Sequence, residues 1–169
     1  MALREILTEG DPVLNRRSRP VEKFDQRLHE LVDDMVETMY EGDGVGLAAP
    51  QIGVLRRIFV MDVGEGPLAF INPEIMEEDG EQEGPEGCLS LPGLFGIVSR
   101  PQKVRVRAQD RDGVFFEMTA EDLAARCVCH ENDHLDGILF RRHSQVPLCS
   151  FDELPGYEPE EEAEEGGEA

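Results

Sequence analysis

Residues 119–137 constrain this chain more than any other stretch. They predict a single helix with recognisable ends. Thr119 is a candidate N-cap, able to accept from an unpaired backbone N–H, and Asp122 three residues later completes a capping-box pattern. Gly137 supplies a left-handed stop. Leu123, Cys127, Val128 and Leu135 fall close to one apolar stripe. On this helix lies His130-Glu131-Asn132-Asp133-His134. A spacing of four puts both imidazoles on one face, a turn apart, where one metal ion can take a nitrogen from each. Glu131 is one step round, close enough to handle a proton from a coordinated water. Two solvated histidines on an acidic helix would be the plainer reading, but the helix is apolar on both sides of the motif. Two ligands do not complete a catalytic site, so a third must come from elsewhere.

Composition narrows the partners. The chain has 169 residues, 37 of them acidic and 16 basic, for a net charge of −21. That balance argues against nucleic acid or an anionic membrane as a direct electrostatic partner. A ribosomal contact would need a local basic patch, and Arg16-Arg17-Ser18-Arg19 and Arg141-Arg142 are the short candidates. No signal-peptide pattern opens the sequence and no apolar run approaches membrane-spanning length, so a cytoplasmic location is expected. In a reducing compartment Cys88, Cys127, Cys129 and Cys149 read as ligands or core residues, not as a disulfide framework.

The remaining chain reads as one domain, residues 1–150, followed by an acidic tail, 151–169, expected to be disordered. After an irregular lead-in, Asp25 caps an amphipathic helix to about Tyr40, marked by Leu28, Leu31, Val32, Met35, Val36 and Met39. Gly42 to Gly46 form a loop whose glycines let a ligand approach the backbone. Strands are expected at 57–63 and 68–71, the latter ending at Asn72-Pro73. The acidic stretch 77–84 reads as a solvated loop. Residues 96–99 are extended, and 104–108 and 114–118 form a hairpin turned by Asp112-Gly113. Cys88, in Glu86-Gly87-Cys88-Leu89-Ser90, is the best available third ligand. Gln51 taken alone carries little information.

Three stretches taken together resemble the signature motifs of the peptide deformylases, in order and at similar separations. They are Gly44-Val45-Gly46-Leu47-Ala48-Ala49-Pro50-Gln51, Glu86-Gly87-Cys88-Leu89-Ser90 and His130-Glu131-Asn132-Asp133-His134. The similarity spans about residues 1–140. It implies an α+β fold: a central helix carrying the two histidines, surrounded by small antiparallel β-sheets, with an N-terminal helix. It further implies removal of the formyl group from formyl-Met nascent peptides, with release of formate. By the same resemblance Cys88, His130 and His134 are the metal ligands and Glu131 the general base and acid. Gln51 and the Leu89 N–H receive charge on the formyl oxygen, Gly44, Val45 and Gly46 line the substrate cleft, and Glu86 supports the site from behind. A pocket of Val45, Leu91, Leu123 and Val128 is expected for the methionine side chain. The implied metal is ferrous iron, with zinc, nickel or cobalt able to replace it.

Two features depart from the family pattern. Cys129 stands where most members carry Gln; a residue one step before a ligand points about 100° away, so it reads as a core or supporting change, with altered activity or metal choice as the sharper alternative. No helical period follows Pro147, where many bacterial members end in a helix that bears on ribosome docking. Rival functions are hydrolysis of another N-acyl substrate, or a non-catalytic binding protein on the same scaffold.

Overall fold

A computed structural model describes residues 2–157. The first amphipathic stretch forms helix α1, Gln26–Glu41, and Asp25 accepts from the Leu28 N–H at its start (3.1 Å). Its apolar face, Leu28, Val32, Met35 and Met39, is buried at the 3.6-residue spacing the sequence dictates. Five strands form one antiparallel sheet. In spatial order they are β1 (Gly46–Ala48), β2 (Ile58–Met61), β3 (Leu68–Asp79), β6 (Lys103–Gln109) and β7 (Phe115–Glu121). β4 (Gln82–Cys88) and β5 (Leu91–Arg100) form a separate antiparallel pair.

Side-chain alternation along β2 explains how this sheet sits between two helices. Ile58 and Val60 pack with α1, whereas Phe59 and Met61 face the other side. There they join Phe70, Val104 and Val106 against Ala125, Val128 and Leu135 of helix α2, Leu123–Leu135. The Phe59 and Phe70 rings stack at 4.7 Å between centroids. Helix α2 is therefore central, with the sheet on one side and the β4–β5 hairpin near its other flank. Its C-terminal end is held from outside. The Leu135 carbonyl accepts from Arg57 Nη1 (2.9 Å) and from the Ser18 N–H (2.8 Å), both relieving an otherwise unpaired helix-end acceptor. Gly137 follows at φ +76°, and a Cβ there would stand 2.7 Å from the Asn15 backbone, so the stop is fixed by conformation and by space.

The expected helix at 119–137 is shorter than its pattern. Thr119, Ala120 and Glu121 finish β7, paired with Arg105, Val104 and Lys103. Asp122 turns the corner at φ +57° and makes no side-chain cap bond to the helix. The backbone of 119–121 pairs with β6 in place of a further helical turn. The expected loop at 77–84 is also corrected: β3 runs on to Asp79 and β4 begins at Gln82, around Gly80 at φ +69°. This end of the sheet is solvent-exposed, so it lacks apolar alternation, and Arg105 holds it through Glu77 (3.4 Å). Asn72 does not end its strand. At φ +53° it makes an irregularity in β3 while its side chain bonds both Val21 backbone groups and Gln109. The hairpin of β6 and β7, and α1, match expectation. Of the expected tail, Phe151 packs on Phe95 and Leu154 is fully buried; residues 158–169 lie outside the described residues. Among the described residues no helix is long and apolar enough to cross a membrane.

Candidate metal centre

Three donors converge from two elements. α2 presents His130 and His134 a turn apart, their ring centroids 5.1 Å from one another. Cys88 ends β4, where a register shift between Gly87 and Cys88 breaks the ladder before Leu91. Such an irregularity re-aims a side chain out of the pleat, and here Cys88 Sγ lies 3.3 Å from His134 Nε2. One ligand atom from each of Cys88, His130 and His134 falls within 4.8 Å of the others.

The surroundings fit a metal. His130 donates from Nδ1 to Glu86 Oε1 (2.9 Å), which fixes the tautomer and leaves Nε2 as a lone-pair donor. Burial pushes the His134 imidazole well below its ordinary pKa, which keeps it in the neutral form a metal takes. One thiol and two imidazoles form a donor set that suits first-row divalent ions. His134 Nδ1 and Glu131 Oε1 are buried without a protein partner among the described residues.

Glu131 sits beside the donors, 4% exposed. Burial, ahead of its neighbours Glu86 and Asp133, pushes its carboxyl up to about 7, against the pull of His130 and Arg100. Its Oε2 packs on Gly46, where an added Cβ would lie only 2.5 Å away. Gln51 is equally enclosed. Its Oε1 accepts from the Ala48 N–H (2.9 Å), which leaves Nε2 donating to Ser90 Oγ (3.0 Å) and toward Cys88 Sγ (3.5 Å).

Behind His130 lies a cluster that sequence reasoning found only in part. Glu86 accepts from Arg100 Nε (2.7 Å) and Nη2 (2.9 Å), and from Arg126 Nη1 (2.8 Å). Arg126 also reaches the Val98 carbonyl (3.0 Å), and Arg100 reaches Asp133 (2.8 Å). Burial opposes the Glu86 charge, yet Arg100 and His130 hold its carboxyl well below the usual carboxylate range. Sequence reasoning named Glu86 and missed both arginines. A usable signal existed: Arg126 lies four residues before His130 inside the otherwise apolar run 123–129.

The donors open into a cleft of about 500 Å³ whose lining includes Gly44, Val45, Gly46, Leu89 and Leu123. Two residues expected in the methionine pocket are elsewhere. Val128 is fully buried against the sheet, because one helical step from Cys127 turns it away from the cleft. Leu91 is buried with Leu14, Val98 and Phe140. Cys127 and Phe95 line the cleft in their place. Cys129 faces away, beside Arg57 and Asp133, and burial pushes its thiol up to about 12. It is not part of the donor set.

The profile of the polypeptide deformylase family matches residues 3–147. A peptide deformylase of Caldanaerobacter subterraneus is 59% identical over 140 residues, covering 83% of this chain and 88% of the relative. The crystal structure of peptide deformylase from Thermotoga maritima is 46% identical with a TM-score of 0.85, covering 86% of this chain and 100% of that one. A peptide deformylase from Synechococcus elongatus, in complex with actinonin, is 39% identical with a TM-score of 0.83, covering 85% and 79%.

Proposed function

The chain belongs to the polypeptide deformylase family, and from that premise we propose how its cleft residues divide the reaction. The protein is a metal-dependent hydrolase that removes the N-formyl group from the N-terminal formylmethionine of newly made polypeptides, releasing formate. The observation that carries the division of roles is the convergence of Cys88, His130 and His134 within 4.8 Å, with buried Glu131 in the same cleft.

Cys88, His130 and His134 would hold one divalent ion, and three protein donors are the number a catalytic site supplies, against four in a structural one. When bound, the metal acts as a Lewis acid and lowers the pKa of coordinated water from 15.7 toward about 7. Ferrous iron is the resident ion in the cell, and zinc, nickel or cobalt can take its place. Glu131 takes the proton of the attacking water and delivers it to the leaving amine, base first and acid second. Its Oε1, buried without a protein partner among the described residues, is placed for that traffic. Gln51, locked by Ala48, donates its amide to the formyl oxygen as negative charge develops, and the Leu89 N–H is the second donor. Glu86 keeps His130 in its metal-binding tautomer.

The peptide lies along Gly44, Val45 and Gly46. β1 is an edge strand, paired on one side with β2, so its other edge is open to an added strand. Leu123 and Val45 receive the methionine side chain together with Cys127. The enzyme works in the cytoplasm, where formylated chains emerge, and any ribosome contact is local and carried by basic residues.

Formate release from a formyl-Met peptide by metal-replete protein, beside its Glu131→Ala variant, tests this reading. Release by the wild type and loss of several orders of magnitude in the variant are expected. No release from the wild type, or full activity in Glu131→Ala, overturns it.

A further inference from the structure

The family match ends at residue 147, yet the chain continues along β5. The Gln145 N–H donates to the Ile97 carbonyl (2.8 Å). Phe95 and Cys149 then exchange both backbone hydrogen bonds, at 2.7 and 3.0 Å, so the segment adds to the edge of β5 as a short antiparallel strap. Apolar anchors hold it down. Leu148 packs on the cluster of Leu14, Leu91, Val98 and Phe140, and Leu154 is fully buried. Between these anchors the Phe151 ring meets Phe95 edge-on, at 5.5 Å between centroids and 78° between planes. It keeps 44% of its surface exposed.

Phe95 is a wall of the cleft. Its ring lies directly on the Gly87 backbone, where an added Cβ would stand 2.5 Å away. Gly87 precedes Cys88, so this aromatic wall begins one residue from the thiol donor. Phe151, beyond the end of the family match, packs on that ring and keeps an exposed apolar surface beside it.

We propose that Phe95 and Phe151 form an apolar shelf that selects peptides carrying an apolar side chain within the two residues after formylmethionine, with the strap 148–154 holding the shelf in place. The inference rests on the deformylase reading above and adds a selectivity to it. Only peptide beyond the methionine can reach this surface, because the formyl group lies at the donors and the methionine side chain fills the pocket beside Leu123. An aliphatic side chain laid on two rings removes about as much apolar surface from water as two CH₂ groups carry. That amount of burial favours such a peptide roughly tenfold.

The test compares full-length, metal-replete protein on formyl-Met-Ala-Ser, formyl-Met-Leu-Ser and formyl-Met-Ala-Leu. In the wild type, one leucine peptide is expected to exceed the alanine–serine peptide about tenfold in kcat/KM, with the difference in KM. Phe151→Ala should reduce that ratio to about threefold or less, while bound metal per chain is unchanged. Phe151→Leu keeps an apolar contact and guards against loss of folding; it should retain an intermediate ratio. A wild type without preference for either leucine peptide overturns the proposal. So does a Phe151→Ala variant that loses kcat/KM equally on all three, since that marks a structural brace. Absence of formate from every peptide would instead strike the deformylase reading itself.

Discussion

Substituting Gly46 by Ala tests how tightly the catalytic carboxylate is seated. The added Cβ would meet Glu131 Oε2 at 2.5 Å, Cys127 Sγ at 2.8 Å and Glu131 Cδ at 3.0 Å. Ordinary contact begins at 3.4 Å, so the carboxylate must retreat by about 0.9 Å. It cannot retreat by deforming the helix, because Glu131 is flanked by the fully buried residues Val128 and Leu135. A misplacement of about 1 Å in a catalytic group costs about 10²-fold, equivalent to roughly 2.7 kcal/mol in the barrier. The three atoms nearest the new methyl belong to Glu131 and Cys127 and none to Cys88, His130 or His134, so the metal should stay. The expected result is a hundredfold fall in kcat with a formyl-Met peptide, measured by coupled oxidation of formate, with the metal content by elemental analysis unchanged. Adding Gly46→Ala to Glu131→Ala should cost far less than Gly46→Ala does alone, since the two share the Glu131 carboxylate and only the Cys127 contact remains. Retention of activity within threefold, or loss of the metal along with activity, would refute the argument.

Other expectations follow from the same contacts. Arg126→Met removes one of two guanidinium groups from Glu86 while keeping much of the side chain's bulk. Competition titration should show metal binding weakened about tenfold, the lower end for such supporting groups, and Arg126→Lys should recover part of it. Removing the metal with a chelator should lower the thermal midpoint, and readdition should restore it. At 100 times Kd the ion contributes about 2.7 kcal/mol, and a midpoint indifferent to metal would argue that the three donors do not form one site. Phe59→Ala, within the stacked pair beneath α2, should cost about 3–5 kcal/mol in chemical denaturation. Asp25→Ala should cost only about 1 kcal/mol, through the lost cap on α1.

What could be read from sequence divides along physical lines. α1 and the β6–β7 hairpin were legible because each buries one face, and burial writes a period into the residues. The segment 77–84 was not, because the ends of β3 and β4 are wet on much of their surface and held by ladder bonds and cross-strand charge. Acidic residues there look like loop although they pair. Thr119 was misplaced for a different reason. Its pattern satisfies a cap, but the backbone groups of 119–121 find partners in β6, and a long-range ladder outcompetes a local capping signal.

The site shows the same division at finer scale. Its donors were legible because spacing on a helix fixes which side chains share a face, and because Cys88 stands in a motif of its own. The pocket failed at Val128 and Leu91, where a single helical step or pleat decides between cleft and core. No composition-level signal resolves a rotation of 100°. Arg100 and Arg126 were missed because buried arginines break the pattern that reveals everything else. Each is tolerated only through its partners: Glu86 accepts from both, Asp133 supplies the second negative charge at Arg100, and the Val98 carbonyl takes Arg126. Those partners come from β4, α2 and β5, so no local window contains them. A charged side chain inside an apolar run is therefore informative as an exception. Four residues before a ligand histidine, it marks where the chain gives up easy burial to hold an imidazole still.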